Sequence, residues 1–232
     1  MGLFVPAFGA NGWGRFECVA DNSIASYPTE ETQNVGGRSP LKLKGRENQI
    51  VMKFDLSGIP PKARILSAEL RVMLTDSKFR LRQVGVSTVS SDWVEGADAA
   101  EDDRSVSCCR WPGGSSSWAG EGSTIADVTF GNGGSMGMYT LAQPERDNWW
   151  VIGLDPRLVE AMRADSFGLI IQDESGMWAG YRANIQVTSR ERKPYGPWLS
   201  VTWEETETNP PSAVSDVAVE AKIGRASCRE RV

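Results

Sequence analysis

The sequence of 232 residues contains no histidine. Histidine is the commonest general base and a frequent metal ligand, so its absence excludes every catalytic triad and zinc site that uses imidazole. The chain also lacks a phosphate-binding loop, a dinucleotide-binding fingerprint and the G-x-S-x-G and H-E-x-x-H motifs. No hydrophobic run in the sequence approaches the ~20 residues of a membrane helix. We therefore predict a protein that is not an enzyme and does not insert into a membrane.

Positive charge is scarce, and the formal net charge is −5. Residues 222–232, KIGRASCRERV, resemble a translated sequencing adapter, and we expect the natural chain to end near Ala221. Those residues hold four basic and one acidic side chain, so without them the net charge becomes −8. A domain of this acidity is poorly suited to bind phosphate backbones or anionic membranes, so we expect no nucleic-acid partner.

Cysteine is rare as well, and only Cys18, Cys108 and Cys109 precede the adapter-like tail. An odd number leaves at least one thiol free or intermolecular. Cys108 and Cys109 are adjacent in a strand predicted at Ser105–Trp111, so they should point to opposite faces. Because CxxC spacing and histidine are both missing, we expect small apolar strand residues rather than a metal or redox pair. One disulfide to Cys18 is the alternative.

The most informative stretch runs from residue 49 to residue 74, QIVMKFDLSGIPPKARILSAELRVML. Apolar and polar residues alternate on both sides of Pro60-Pro61, which is the period-two pattern of half-buried strands. The two prolines forbid a helix between them and remove two backbone donors. We predict a hairpin-like pair of strands at the centre of a sheet. Four of its residues are expected in the core: Phe54, Leu56, Leu70 and Val72.

Similar alternation along the rest of the chain predicts about ten strands. One short helix is expected after Asp155-Pro156, an N-cap residue followed by proline at the first helical position. Many short strands with a single helix favour an all-β, two-sheet antiparallel sandwich. The predicted segments are a lead-in at residues 1–15, the sandwich module at residues 16–205, a linker at residues 206–213 and the start of a second module at residues 214–221. That last segment is similar to the entry into a fibronectin type III domain.

Four sequence words occur in order: FDLSGIPPKARILSAELRV, SSDWVEG, FGLIIQDE and VTSRERKPYGPWLSVTW. Together they resemble the DNRLRE-type domain, also described as the disaggregatase-related repeat and as a carbohydrate-binding module family. The resemblance covers Glu17 to Glu205. It implies a jelly-roll β-sandwich in secreted or cell-surface microbial proteins, often beside catalytic or fibronectin modules. It also implies carbohydrate binding, with alginate-like acidic polysaccharide among the ligands. This chain departs from the pattern at Cys108-Cys109 and in long loops around Trp118 and Met136.

Aromatic side chains are the candidate ligand-binding residues, because a pyranose presents an apolar face that stacks on a flat ring. The loop at residues 175–184 offers Trp178, Tyr181 and Arg182 among glycines. Further candidates are Trp149, Trp150 and Trp118. For each tryptophan the alternative is packing in the core. Trp149 and Trp150 are adjacent, so in a strand one of them must face away from the core.

Charged side chains provide two further hypotheses. Arg190 could pair with an acidic sugar, but a structural ion pair is the favoured interpretation because it lies in a word shared with the family. The loop at residues 91–103 is rich in carboxylates, and calcium prefers six to eight oxygen ligands. The candidate Ca²⁺ ligands are Asp92, Glu95, Asp98 and Asp102, and the alternative is a solvated acidic loop.

The predicted function is a non-catalytic module that binds polysaccharide through loop aromatics, with other modules of the same chain as partners. No positive residue precedes Arg15, so a secretory signal is not recognised, and an extracellular or cell-surface location is what the resemblance implies. Two alternatives are a structural or adhesive spacer without a specific ligand, and a polysaccharide lyase or glycosidase domain.

Overall fold

The computed structural model describes residues 11–97, 103–114, 116–165, 167–175 and 184–205. Ten strands and one α-helix occur in these ranges: β1 (Asn11–Ala25), β2 (Leu41–Leu43), β3 (Asn48–Phe54), β4 (Ala63–Met73), β5 (Gln83–Thr88), β6 (Gly137–Pro144), β7 (Trp149–Leu154), α1 (Pro156–Asp165), β8 (Leu169–Asp173), β9 (Ile185–Val187) and β10 (Trp198–Glu205). The predicted helix is confirmed, and its apolar face at Leu158, Val159 and Met162 is buried.

Eight strands close into an antiparallel barrel in the order β1-β10-β4-β7-β6-β5-β8-β3. The prediction of a two-sheet jelly-roll sandwich is therefore wrong. The barrel closes because β1 and β6 each exchange one neighbour for another along their length. Residues 11–17 of β1 pair with β10 and residues 18–25 pair mainly with β3, whereas β6 pairs first with β5 and then with β7. Alternation in a sequence reports which face of a strand is buried, but not where the strand changes partner.

Both strands predicted in the central stretch exist, but they are not hydrogen-bonded to each other. β3 pairs with β1 and β8, whereas β4 pairs with β10 and β7. The connection through Pro60-Pro61 therefore passes two strands of the barrel instead of closing a hairpin, and the hairpin-like prediction is wrong. The four predicted core residues of this stretch are all buried.

The interior of the barrel is filled mainly by aliphatic side chains that alternate along the strands, together with a few aromatic rings. At the end where β4 begins, α1 packs on the barrel, and Arg163 donates hydrogen bonds to the backbone oxygens of Pro60, Pro61 and Ala63. At the end where β4 finishes, the small β2–β9 sheet buries four aliphatic side chains against the same core. Within the described residues, no helix is long and apolar enough to cross a membrane.

A second apolar cluster lies outside the barrel wall. Val51 of β3 and Ile170 of β8 point outward, between inward-facing neighbours, yet both are fully buried. They are covered by the segment between β5 and β6, which contributes Trp93, Trp118 and Ile125 among others. The strand predicted at Ser105–Trp111 does not form in this segment. The cover leaves part of the β5-β8-β3 wall open, and the candidate site lies there.

Candidate functional site

Four residues form a row across the outer wall of the barrel, one from each of four neighbouring strands. Tyr139 of β6 lies opposite Gly85 of β5, and Gly85 lies opposite Gln172 of β8. Gln49 of β3 continues the row, because its Nε2 donates a 2.6 Å hydrogen bond to Oε1 of Gln172. The strand pattern therefore places one aromatic ring and two amides on the same face, with a glycine between them.

Phe130 occupies the space above the glycine of this row. A Cβ at position 85 would lie 2.8 Å from Cγ of Gln172 and 3.0 Å from Cε1 of Phe130, so only glycine allows this close approach. The Phe130 ring stacks on the Tyr139 ring, with centroids 6.3 Å apart and planes at 22°. Phe130 has a φ of 51°, which is unusual for a bulky residue, and its N–H donates to Oγ of Ser87 at 2.7 Å. The fold thus fixes an aromatic pair beside the amides.

The amides belong to a chain of hydrogen bonds that ends at a charged pair. Nε2 of Gln172 donates to Oε1 of Glu174, and the same oxygen lies 3.8 Å from Nε of Arg46. Each amide nitrogen carries a second N–H beyond the one used in this chain. Glu174 is buried and Arg46 is largely exposed, so the cation lies at the edge of the row. The arrangement orients the polar groups before any ligand arrives.

A groove of about 650 Å³, which we call the Tyr139 groove, is lined by Tyr139, Phe130, Gln49, Gln172 and Arg46. The segment between β5 and β6 contributes Arg110, which pairs with Glu31 at 2.7 Å, and the hydroxyl residue Thr124 to its lining. Cys109 also lines the groove; its thiol is buried, and burial raises its pKa to about 11. A thiol of that pKa is protonated and poorly nucleophilic at neutral pH. The remaining lining residues are Ser26, Ile125, Ala126, Thr129 and Asn132.

A larger cavity of about 820 Å³ lies near α1 and the connection between β3 and β4. Its one aromatic lining residue, Phe54, is buried in the barrel core. Its polar residues include Lys53, which pairs with Asp92 at 2.5 Å, and Glu160, which pairs with Arg163 at 2.8 Å. This cavity offers no exposed ring beside a set of oriented hydrogen-bonding groups, whereas the Tyr139 groove offers both.

The predicted ligand-binding aromatics lie in different places. Trp178, Tyr181 and Arg182 fall outside the described residues. Trp150 points into the barrel and is 6% exposed, whereas its neighbour Trp149 lies on the outer face, edge-on to Trp198 at 6.4 Å. This opposition of adjacent residues is what the strand pattern required.

Trp118 lies in the second apolar cluster and is 3% exposed. Its Nε1 donates to the backbone oxygen of Cys108 at 3.1 Å. Trp118 therefore packs as a core residue, which was the alternative for each tryptophan, and no ring face is available to a ligand. None of the described candidates lines the Tyr139 groove.

The described part of the acidic loop does not provide a calcium site. Asp92 accepts a hydrogen bond from Lys53, and Glu95 is bound by Arg190. Asp98 and Asp102 fall outside the described residues, and within the described ranges no group of three or more histidine, cysteine or acidic side chains could hold a metal ion. The favoured interpretation of Arg190 as a structural ion-pair partner is confirmed.

Asp21 forms a buried polar centre next to this ion pair. Its Oδ2 accepts a 2.7 Å hydrogen bond from the N–H of Arg190, and its own N–H donates to Glu95 at 2.7 Å. The side chain is fully buried and Oδ1 has no hydrogen-bond partner. Burial raises the pKa of Asp21 to about 7, so the carboxyl is partly protonated at neutral pH.

The residues of the Tyr139 groove were not predicted from the sequence. Gln172 was recognisable as a polar residue directly after the apolar run LII of its strand, which indicates a face that is not simply core. Tyr139 lies in β6, a strand that was not predicted because it alternates weakly between glycines and a proline. No local signal in the sequence places Phe130 over Gly85, since that contact depends on the path of the covering segment.

Searches among known proteins give no guide to identity. No protein-family model matches this chain. No curated protein matches it significantly either.

Proposed function

We propose that this domain is a non-catalytic carbohydrate-binding module of an extracellular, multi-domain protein, and that it binds polysaccharide in the Tyr139 groove. The resemblance to DNRLRE-type domains is part of the same proposal. The single observation that carries it is the exposed Tyr139 ring, 54% accessible, stacked on Phe130 in the same groove as the two oriented and largely buried glutamine amides. An aromatic face for the C–H side of a pyranose and amides for its hydroxyls are the two elements that sugar recognition requires.

The size and charge of the groove fit an extended neutral or mildly acidic sugar chain. Its volume of about 650 Å³ lies within the range of small-molecule sites. Its cations, Arg46 and Arg110, are each close to a carboxylate, at Glu174 and Glu31 respectively. The site therefore carries little net charge, and recognition depends on stacking and hydrogen bonds more than on attraction between opposite charges.

The groove has too few carboxylates for hydrolysis, which favours a binding function. A glycosidase generally places two carboxyl groups on either side of the scissile bond. Among the described residues that line the groove, Glu31 is the one carboxylate, and it is paired with Arg110. A single carboxylate does not supply the pair of carboxyl groups that hydrolysis needs.

The proposal is tested by affinity electrophoresis of the whole chain in gels containing hydroxyethylcellulose, galactomannan, xylan, alginate or polygalacturonate. We expect retardation by at least one polymer, and Tyr139→Ala should weaken binding at the groove by about tenfold because the stacking face is lost. Tyr139→Phe keeps the ring and should retain most of the affinity.

The matched control is Tyr195→Ala, which removes another exposed tyrosine, 43% accessible, that does not line the groove. It should leave retardation unchanged. Retardation by none of the polymers would support the spacer alternative. Release of unsaturated ends from alginate or polygalacturonate, followed by absorbance, would support the lyase alternative.

A further inference from the structure

The outer wall opposite the Tyr139 groove carries Trp13, the most exposed aromatic side chain among the described residues. Trp13 on β1 is 62% accessible. Trp13 lies in the part of β1 that pairs with β10, whereas the later part of β1 pairs with β3. In the closed barrel, β10 and β5 are four strands apart in an order of eight, so the wall around β10 faces away from the wall around β5. Any ligand on Trp13 is therefore separate from a ligand in the groove.

The Trp13 ring is held in place by the neighbouring strand. Its Nε1 donates a 2.9 Å hydrogen bond to Oγ of Ser200 on β10. The register places Trp13 opposite Thr202, two residues along the strand from Ser200, so the indole leans diagonally across β10. An indole that is fixed at its edge in this way leaves a ring face towards solvent and loses little rotational freedom when a ligand stacks on it.

Polar groups surround this ring on the same face. Ser200 and Thr202 supply hydroxyls, and Ser67 of β4 lies opposite Thr202. A bulge at this point leaves Leu66 partly exposed beside Ser67. We call Trp13, Ser200, Thr202, Ser67 and Leu66 the Trp13 platform.

Farther along the same wall, the charged side chains are already fixed by partners. Arg15 lies 4.2 Å from the centre of the Trp198 ring and pairs with Glu17 at 2.6 Å. Arg71 covers Trp198 from the other strand at 5.0 Å and binds Glu145. Arg15 and Arg71 cover the Trp198 ring, which forms one border of the platform. Of the two tryptophans, Trp13 is therefore the one available for stacking.

The geometry points to a second saccharide-binding surface on the Trp13 platform, independent of the Tyr139 groove. The composition of the platform favours a sugar over a protein partner. A stable protein interface buries roughly 800 Å² on each side around an apolar centre. The platform instead presents one large ring and one partly exposed leucine among hydroxyls, bordered by the Arg64–Glu204 ion pair at 2.6 Å. One flat apolar face ringed by hydrogen-bonding groups matches a pyranose.

Two sites on opposite walls would change how the whole module binds polysaccharide. This step rests on the proposed function, which supplies the other site in the Tyr139 groove. A short oligosaccharide cannot contact both walls, so each protein should bind two of them. A long polymer should instead be cross-linked, because one module can hold two chains.

The test uses the full chain and its Trp13→Ala and Tyr139→Ala variants in isothermal titration calorimetry. The probe is the hexasaccharide of each of the five polymers named above that retards the wild type. We expect two hexasaccharides per wild-type protein and one per molecule of either variant. Turbidity after addition of the intact polymer should appear with the wild type and disappear in both variants. Trp13→Phe should keep part of the platform binding, and Tyr195→Ala should keep both sites.

The possible results separate the two proposals. One hexasaccharide per wild-type protein, with Trp13→Ala unchanged and Tyr139→Ala inactive, would overturn the platform and leave the groove. Binding that is lost in Trp13→Ala and unchanged in Tyr139→Ala would overturn the groove and leave the platform. No retardation by any of the five polymers would overturn both. Circular dichroism of each variant checks that it is folded.

Discussion

The guanidinium of Arg190 binds both carboxylate oxygens of Glu95, with Nε 2.6 Å from Oε1. The two residues lie 95 positions apart in the chain, and Glu95 also accepts the N–H of Asp21 on β1. One carboxylate therefore joins the acidic loop, the segment after β9 and the barrel wall. The hydrogen bonds that Arg190 donates to Glu95 raise the pKa of Arg190 still further above its ordinary value.

Removal of Glu95 should destabilise the fold much more than removal of a surface partner. In Glu95→Ala the N–H of Asp21 loses its acceptor, and the guanidinium of Arg190 keeps only its 3.0 Å contact with Glu191. The side chain of Glu95 is only 15% exposed. Breaking a buried ion pair costs about 3 kcal/mol or more, and the 31% exposure of Arg190 reduces this to about 2–3 kcal/mol. Urea unfolding followed by tryptophan fluorescence measures the loss.

The control is Glu204→Ala, which breaks the Arg64–Glu204 pair on the outer wall. Arg64 is 65% exposed, so this pair is well solvated and its removal should not change the unfolding midpoint measurably. Equal losses in the two variants would contradict the structural role of the Glu95–Arg190 pair.

Asp21 should make the stability of the protein fall as the pH rises towards 7. Its folded-state pKa of about 7 lies above the ordinary value of 3.8, so the folded state holds a proton that the unfolded state has released. The stabilising contribution is complete below about pH 4 and declines until about pH 7, by an order of 4 kcal/mol in total. The chain has no histidine, so the usual titrating group of this pH range does not obscure the effect.

The measurement compares the melting temperature of the wild type and Asp21→Asn between about pH 5 and pH 8. Asparagine stays neutral and keeps an oxygen for the N–H of Arg190, so the slope should be much smaller in the variant. Asp173→Asn is the control. Burial raises the pKa of Asp173 as well, but the N–H of Ser175 donates a 2.9 Å hydrogen bond to its Oδ1 and opposes that rise. The slope should therefore change less in Asp173→Asn than in Asp21→Asn. The same slope in wild type and Asp21→Asn would disprove the assignment.

Gly85→Ala should damage the Tyr139 groove without a change of backbone conformation. The added methyl would lie 2.8 Å from Gln172 and 3.0 Å from Phe130, so the aromatic pair and the amide must move apart. We expect polysaccharide binding at the groove to weaken by about tenfold and stability to fall by about 1–3 kcal/mol from overpacking. Gly153→Ala on β7 is the matched control, because nothing lies within 4 Å of the added methyl. Similar binding losses in both variants would exclude a local effect on the groove.

The sequence was sufficient to predict the elements that depend on local pattern. Alternation identified β3 and β4 and committed Phe54 and Leu70 to the core, and Asp155-Pro156 located α1. The closure of the barrel could not be predicted, because it depends on a bulge between Cys18 and Ala20 and on the change of partner along β6. Both are relations between distant strands and leave no mark in the spacing of apolar residues.

The site was harder to predict than the fold. Tryptophans in glycine-rich stretches are candidate ligand-binding rings with core packing as the alternative, and Val51 and Ile170 carry a signal that favours the alternative for Trp118. Each interrupts the alternation of its strand with an apolar residue on the outer side, which requires a cover outside the barrel. That cover buries Trp118 and, by its path, places Phe130 beside Tyr139. The residue that marks the groove is thus defined by the packing of a long segment and not by a motif.

Trp118→Ala should lower stability strongly and leave sugar binding unchanged once the protein is folded. The indole is 3% exposed in the second apolar cluster and its Nε1 is bound by the Cys108 oxygen, so truncation creates a cavity and leaves that oxygen without its donor. The expected loss is about 3–5 kcal/mol by urea unfolding. Trp111→Ala is the control on the same segment: its Nε1 also binds a backbone oxygen, of Asp103 at 3.0 Å, but the ring is only half-buried, so the loss should be clearly smaller. A small loss in Trp118→Ala together with lost retardation at low temperature would instead make Trp118 a ligand-binding residue.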